Sequence, residues 1–323
     1  MILPGYWNFP APEDIPEDLL LPFGEFATKY GLEAAMPQMF QVPGPGVPDW
    51  TGAPTLHVMQ VFGAPMARAL TGASPTFTPT ENDNTELYRR IQELLGDNVL
   101  YSSMVMDAKR DDNGVRLTVN GPNGQKTIVE AERLLIAYEP TLDGTKRLDL
   151  DEAESSVFGK WSYSKVFAGI VRHPSLPTNI SLVNTLPGAA PDNYLVFPKS
   201  PILARFDYMG APSDLFRVLI IGDEDLNLDG AQALVRNSLE NLIEAGTLEE
   251  GAIEDLVFEA FVDHGPMHLR ASVEDIAEGF IQDLYSLQGH RSTWYTGAGF
   301  SVQFTTILWA FNDVLLPKML EGM

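Results

Sequence analysis

The sequence predicts an α/β protein of the mixed α+β kind, and three segments support that prediction. Residues 104–130 predict three strands joined by Asn113-Gly114 and Asn123-Gly124, the strongest short hairpin signals. Residues 134–137 form a continuous apolar run, which is typical of a strand buried on both faces of a parallel sheet. Near the end of the chain, a short β-prone segment enters a glycine turn and leaves on a helix.

The segment before the meander predicts a helix and a short strand. Leu87, Ile91, Leu94 and Leu95 fall on one helical face, and Gly96 stands where a C-terminal cap belongs. A short strand is then expected over residues 99–102. The order is therefore helix, short strand, three-stranded meander and buried strand.

The first 80 residues hold 13 of the 24 prolines of the chain. Proline removes a backbone donor and interrupts regular elements, so loops and short helices are expected here. The best short helices are Phe23–Tyr30 and Ala64–Leu70.

Residues 151–290 predict a layer of strands and helices. The strand candidates are residues 165–172, 179–184, 193–198 and 216–221. One helix is marked by apolar residues between Ala231 and Ile243 and ends before Gly246. A second follows the capping pair Ser272 and Asp275.

The C-terminal run from 291 to 306 is the most informative stretch. Residues 293–296 predict a strand, Gly297 and Gly299 a tight turn, and Thr305–Leu320 a helix. Such a turn directs free backbone N–H groups and a helix N-terminus toward a phosphate or an electron-rich ring edge. The alternative is that the glycines only relieve steric crowding.

Composition narrows the classes of function. The 323 residues carry a formal charge of −23, which argues against nucleic acid because phosphate binding needs clustered Lys and Arg. No window of 18 apolar residues predicts a membrane span, and residues 1–10 lack the pattern of a signal peptide. The chain has no cysteine, so disulfides, thiolate zinc sites and a cysteine nucleophile are excluded. Neither compartment nor oligomeric state is predicted.

Residues 263–268 hold two histidines, His264 and His268, four positions apart. Gly265 and Pro266 preclude the regular helix that would bring both rings to one face. A metal site, a substrate-pocket loop and a structural turn are the three interpretations, and the turn is favoured. Aromatic residues around the glycine turn, including Trp294, Tyr295 and Phe304, predict either core or the wall of a flat ligand.

Several segments match one known family. They are residues 17–26, 59–65, the meander with Val105 and Ala137, 263–267 and 287–297. Together they resemble the flavin-containing amine oxidase superfamily, in a fungal branch of it, over essentially the whole chain.

The resemblance implies an FAD-dependent oxidoreductase that oxidises a small fungal metabolite by hydride transfer to flavin. It implies a two-domain fold with an incomplete FAD-binding domain and a mixed-sheet substrate domain. The FAD-binding domain would comprise residues 81–150 and 286–323, and the substrate domain residues 1–80 and 151–285. A small-molecule substrate is the expected partner, with no nucleic acid and no membrane.

The resemblance also implies roles for individual residues. The catalytic candidates, placed near substrate or flavin, are Lys165, His264 and His268, although a surface ion pair is the favoured role of Lys165. The residues implied to contact the cofactor are Val105 and Ala137 at its adenosine end, Gly297, Ala298 and Gly299 by the ribityl chain, Gln303, Phe304 and Thr305 at the pyrimidine edge, and Trp294. Metal ligands are not expected.

Two features of the family are missing from this sequence. It has no strand, G-x-G-x-x-G turn and helix for the pyrophosphate, and Ala298 stands where many relatives carry an acidic residue. The expectation is therefore a truncated oxidoreductase that is weak or inactive alone. The alternative is a degenerate, non-catalytic paralogue that binds a small molecule or a protein.

Overall fold

Helices and strands are described in the computed structural model for residues 5–42, 46–80, 83–189 and 191–322. The helices are α1 (Glu17–Leu20), α2 (Phe23–Tyr30), α3 (Met36–Gln41), α4 (Thr55–Val61), α5 (Ala64–Leu70), α6 (Thr85–Leu95), α7 (Glu152–Phe158), α8 (Leu228–Glu244), α9 (Val273–Ala277), α10 (Phe280–Ser286) and α11 (Thr305–Leu320). The strands are β1 (Met104–Asp111), β2 (Gly114–Asn120), β3 (Lys126–Ala131), β4 (Leu134–Ile136), β5 (Ser162–Arg172), β6 (Leu182–Val183), β7 (Ile202–Tyr208), β8 (Phe216–Gly222), β9 (Val257–Arg270) and β10 (Thr293–Tyr295).

The chain divides into two units. The first holds residues 1–9, 63–160 and 279–323, and the second holds residues 10–62 and 161–278. Compared with the predicted segments, α5, α7 and α10 move to the first unit. Helix α10 does so because its buried side chains pack beside α7. The roles of the two units as cofactor and substrate domains stay predictions.

The predicted meander is confirmed in the first unit, where β1, β2 and β3 form an antiparallel sheet. Asn123 and Gly124 adopt φ values of 59° and 76°, the left-handed conformation that this dipeptide favours in turns. Ala108, Leu117 and Val119 form a small core with Leu134 of β4 packed against it. The meander and the apolar run after it thus share one core.

Strands β4 and β10 form a parallel pair, with Thr293 opposite Leu134 and Tyr295 opposite Ile136. The pairing continues beyond the strands, since the Thr296 N–H donates to the Ile136 carbonyl at 2.8 Å. This confirms the expectation that residues 293–296 lie beside residues 134–137. Because the strands are parallel, both lead into their following loops at the same end of the pair.

The second unit contains an antiparallel sheet in the order β6-β7-β8-β5-β9. Helix α8 packs on one face of it through Ala231, Val235 and Leu239. Phe167 and Val171 of β5 belong to this core. Side chains alternate along a strand, so their neighbours Val166 and Ile170 point to the opposite face.

Some predicted strands are absent from the structure or shorter than predicted. Residues 99–102 form no strand because Ser102 has φ 50°, a left-handed conformation that a ladder does not accommodate. Residues 193–198 are irregular, and there Phe197 packs on Phe40 with ring centroids 4.9 Å apart. Of residues 179–184, only Leu182 and Val183 pair, with β7.

The favoured interpretation of residues 263–268 as a turn is wrong, since they belong to the long strand β9. Pro266 lies opposite Lys165 within the β5–β9 ladder. Strand β9 is at the edge of the sheet, where a proline can point its missing donor away from the ladder. Bulges and positive φ values at Gly265 (90°) and His268 (55°) interrupt its regularity.

Helix α11 has the predicted bounds, and helix α6 has the predicted C-cap. Gly96 is the C-cap of α6, but the apolar face of this helix is exposed, and Leu94 is 84% accessible. Helix α11 buries Phe311 and Leu315. Among the described residues, no helix combines the length and apolarity that a membrane span requires.

Candidate functional site

The glycine turn follows β10 in the first unit. Gly297 has φ 106°, a conformation that side chains other than glycine rarely adopt. A Cβ at this position would lie 3.4 Å from the Ala137 carbonyl oxygen. The Phe300 N–H donates to the Gly297 carbonyl at 3.2 Å and closes the turn. The structure therefore brings Ala137 and the Gly297 turn together.

Glu139 also reaches this turn, and the sequence interpretation missed it. The Gly299 N–H donates to the Glu139 carboxyl group, while burial raises the pKa of that group to about 7. The second carboxyl oxygen, Oε2, is buried with no hydrogen-bond partner among the described residues. An acidic residue just beyond a buried strand was the signal that could have identified Glu139.

A carboxyl group thus stands at the turn even though Ala298 replaces the acid of the family pattern. A buried acceptor without a donor is unfavourable in a folded protein. Glu139 Oε2 is therefore oriented to receive a donor that the described chain does not provide.

The remaining cofactor candidates differ in exposure. Trp294 is half-buried, and its ring lies over Gly289, 3.2 Å from where a Cβ would be. Gln303 and Phe304 are half-buried, whereas Thr305 is exposed at the first turn of α11. Strand β1 is an edge strand with a register shift just after Val105. The N–H and C=O groups on the outer side of β1 therefore lie outside the β1–β2 ladder.

Tyr295 is core, so it cannot form the wall of a ligand pocket. Its side chain is fully buried between Phe158 and Phe300, with centroid distances of 5.4 Å to each ring. Its hydroxyl donates to Glu154 Oε1 at 2.6 Å. Phe300 is likewise fully buried.

Glu154 and Arg110 form a buried ion pair that the sequence did not predict. The Arg110 Nη1 and Nη2 groups donate to the two Glu154 oxygens at 2.7 and 2.9 Å, and both side chains are inaccessible. Arg110 Nε also donates to Asp149 at 2.9 Å. Burial alone would raise the pKa of Glu154, but the bonds from Arg110 and Tyr295 outweigh burial and lower it.

Arg291 completes this buried charge cluster. It donates to Asp149 at 2.5 Å, to Glu154 at 3.3 Å and to the Arg110 carbonyl at 2.8 Å. The cluster fixes the segment that leads into β10 against β1 and α7. Its charges are mutually compensated, which assigns it a structural rather than a catalytic role.

Lys165 lies in the second unit and is half-buried. Its Nζ donates to the Leu226 carbonyl at 3.2 Å, and it forms no ion pair within the described ranges. The favoured surface ion pair is therefore wrong. Along β5, Lys165 points to the face of Phe167, which packs on α8.

His264 and His268 do not converge on one point. His264 is exposed, whereas His268 is half-buried. The two residues lie in separate bulges of β9, His264 between the partners of Phe167 and Val166 and His268 between those of Ser164 and Ser162. Across the described residues, no three His, Asp or Glu side chains gather in a way that could hold a metal ion.

The comparisons with known proteins give relatives but no matching family model. The chain is 32% identical over 307 residues to a beta-cyclopiazonate dehydrogenase of Aspergillus flavus, covering 95% of this chain and 64% of that protein. It is 31% identical over 325 residues to the FAD-dependent oxidoreductase oblC of Cochliobolus heterostrophus, covering 97% of this chain and 65% of the relative. The chain thus spans slightly less than two thirds of these curated relatives.

Solved structures share the fold. A fatty acid isomerase from P. acnes matches with a TM-score of 0.70 and 17% identity over 95% of this chain and 68% of that chain. A putrescine oxidase variant matches with a TM-score of 0.57 and 11% identity over 94% and 68%. The resemblance found in the sequence is confirmed: the chain is homologous to fungal FAD-dependent oxidoreductases and has an amine-oxidase-like fold.

Proposed function

We propose that the chain acts as an FAD-dependent oxidoreductase of the amine-oxidase type, with the flavin held by the first unit. The observation that supports this most is the end of the β4–β10 pair. There the Gly297 turn, Ala137 and Glu139 form a small group of main-chain and carboxyl groups. Curated relatives named as FAD-dependent support the choice of cofactor.

The residues at this turn fit a flavin. Glu139 Oε2, which has no hydrogen-bond partner in the part of the chain that the structure describes, is an acceptor, and the ribityl chain of a flavin offers several hydroxyl donors. The absence of a side chain at Gly297 leaves room beside Ala137 for a ligand to approach the backbone. The N-terminus of α11, 16 residues long, would favour negative charge near Thr305.

Flavin, when bound, supplies the hydride acceptor, and the protein supplies binding and orientation. We propose a substrate oxidised at a carbon next to nitrogen, or at a similarly activated carbon of a fungal metabolite. Oxidation of a neutral amine needs an apolar wall and correct placement more than a strong base. His264 and His268 would orient a polar group, and Lys165 would hold a water; all three roles are proposals.

We propose that the 323-residue chain by itself binds FAD weakly. Its sequence has no glycine-rich strand–turn–helix unit for the pyrophosphate. That unit supplies several charge-assisted hydrogen bonds, each worth about 1.5–3 kcal/mol. Without them the dissociation constant is expected above about one micromolar.

Flavin fluorescence titrations test both the site and the affinity. Riboflavin and FAD carry the ribityl chain, and lumiflavin lacks it. We expect Glu139→Gln to weaken riboflavin and FAD binding about tenfold and to leave lumiflavin binding unchanged. Glu132→Gln, at an exposed acid of the same unit, is the matched control. A sub-micromolar FAD dissociation constant would contradict weak binding, and no flavin binding at millimolar concentration would contradict the function.

Single-turnover flavin reduction tests the substrate-site residues. A related G-x-G-x-x-G segment would be fused to the N-terminus, and His264→Ala, Trp294→Ala and Lys165→Met compared with the parent fusion. We expect slower reduction in at least one variant. Equal rates in all three would remove these residues from the mechanism.

A non-catalytic binding module is the second candidate, and the exposed apolar face of α6 favours it. Leu94, Leu95 and Ile91 are at least 40% accessible, as at many protein contacts. Purified protein that shows no flavin absorption bands after incubation with FAD would support this alternative.

A further inference from the structure

We propose that the second unit carries an anion-binding site centred on Arg270, and that it takes the acidic group of the substrate, a carboxylate or an acidic enol. That the ligand is the substrate rests on the proposed function, whereas the anion site itself is independent of that function. Its chemistry follows from the surroundings of one half-buried guanidinium.

Arg270 lies near the end of β9, where its charge is not neutralised. Its Nη1 donates to the His268 carbonyl at 2.7 Å and to Ser164 Oγ at 3.3 Å. Both acceptors are neutral, and in the described part of the chain no carboxylate lies within ion-pair distance of this guanidinium. Burial lowers the pKa of Arg270 to about 10, with the more distant charge of Glu224 opposing it. The side chain nevertheless remains charged at neutral pH.

A bulge explains why a charged side chain is held here. Between Ser162 and Ser164 of β5, the partner residues on β9 change from Arg270 to Met267, so β9 carries one extra residue. Bulges redirect side chains and bend the strand that holds them. His268, inside the bulge, adopts φ 55°, which is uncommon for a residue other than glycine.

Two histidines stand beside Arg270, and both are neutral. Burial and the charge of Arg270 lower the pKa of His268 to about 3, with His57 adding a smaller effect. Burial, followed by the charge of Arg270, lowers the pKa of His57 to about 4, against an opposing bond to the Ala271 carbonyl. The histidines therefore add donors and acceptors but no charge.

The absence of a side chain at Gly46 leaves space for the His268 ring. A Cβ on Gly46 would lie 1.9 Å from His268 Nε2, so only glycine permits the ring position. The Gly46 carbonyl accepts the hydroxyl of Ser164 at 3.2 Å, which orients Ser164 Oγ toward Arg270 as an acceptor. The Ser164 hydroxyl and the His268 carbonyl thus bond to the Arg270 guanidinium, and neither of these groups carries a charge.

A half-buried charge with no counter-charge beside it among the described residues is unfavourable, and a ligand of opposite charge removes that cost. The planar guanidinium presents paired N–H donors that match the two oxygens of a carboxylate or of a delocalised enolate. A cation is disfavoured because Arg270 is positive and both histidines are neutral. The site therefore selects an organic anion with two coplanar oxygens.

Calorimetric titration of the flavin-free protein tests the proposal, with benzoate as the probe and benzamide as its neutral counterpart. We expect benzoate to bind and Arg270→Gln to weaken it about 10- to 100-fold. Arg270→Lys keeps the charge without the fork and should lose less, and it serves if Arg270→Gln does not fold. Arg217→Gln is the matched control, since exposed Arg217 is already paired with Asp207.

A second readout distinguishes a local site from nonspecific charge. In histidine-ring NMR spectra, benzoate should shift the His268 resonances of the parent protein and leave those of Arg270→Gln unchanged. Equal affinity for benzoate and benzamide, unchanged binding in Arg270→Gln, or no benzoate binding at about 20 mM would overturn the proposal. Because no flavin is present, these outcomes are independent of the flavin titrations that test the proposed function.

Discussion

Two arginines, one buried in the first unit and one half-buried in the second, are held in opposite ways. Arg110 of the first unit is inaccessible and bonded to the carboxylates of Glu154 and Asp149. Arg270 of the second unit donates to a hydroxyl and a carbonyl and has no carboxylate within ion-pair distance among the described residues. The first arrangement satisfies its own charges, and the second requires an external anion. Charge compensation therefore distinguishes a structural cluster from a binding site.

The largest effect is expected from removing the carboxylate that neutralises Arg110. Glu154→Gln should lower the free energy of unfolding by about 3–5 kcal/mol, because the guanidinium groups of Arg110 and Arg291 are then left with the Asp149 carboxylate alone. Urea denaturation measures this loss. Glu259→Gln, at the exposed partner of Arg172, is the control and should change stability little. A loss below about 1 kcal/mol in Glu154→Gln would contradict the structural role assigned to the Arg110 cluster.

An intermediate effect is expected from pH, because folding shifts the pKa of Glu139 upward and the pKa of Glu154 downward. Burial raises the pKa of Glu139 to about 7, so the folded state holds more protons than the unfolded state between the ordinary carboxyl range and that value. Its contribution to stability is therefore complete at low pH and is lost as pH rises through about 7. The contribution of Glu154, whose pKa is lowered, is lost as pH falls.

Thermal unfolding across the pH range separates the two carboxyl groups. Glu139→Gln should remove a fall in stability of about 1–3 kcal/mol on the approach to neutral pH. The parent and Glu139→Gln should have parallel profiles in the acid range, where Glu154 dominates. Identical profiles at every pH would show that the Glu139 carboxyl group is not held in a buried environment.

Much of this architecture follows from local sequence, whereas the charge clusters do not. The Asn-Gly turns and the bounds of α11 are local features, so periodicity and turn chemistry predicted them. Strand β9 was misassigned because Gly265 and Pro266 normally mark turns, and only its edge position makes them tolerable. Arg110 meets Glu154 from 44 residues away and Tyr295 from 185, and no local pattern encodes such contacts.

At the candidate site too, local features were predicted and long-range contacts were not. The Gly297 turn and Ala137 were predicted from motif positions, and the structure brings them together. Glu139 was missed because the family pattern places an acid directly after the glycine, whereas the structure brings one from the loop that follows β4. Sequence patterns locate main-chain features of a site more readily than the side chain that arrives from elsewhere.

The smallest change in stability is expected at Arg270. Arg270→Met should alter the free energy of unfolding by no more than about 1 kcal/mol, or raise it, because it removes an unneutralised charge. Urea denaturation in buffer free of organic anions measures this. A loss as large as that of Glu154→Gln would mean that both arginines are structural, and the comparison would fail.

The most direct test of the account is a crystal structure of the protein soaked with millimolar FAD. We predict that the ribityl chain lies against Gly297, Ala298 and Gly299, with a hydroxyl donating to Glu139 and the pyrimidine edge near Thr305. A flavin bound with its ring and ribityl chain away from residues 297–305 would contradict the proposed site.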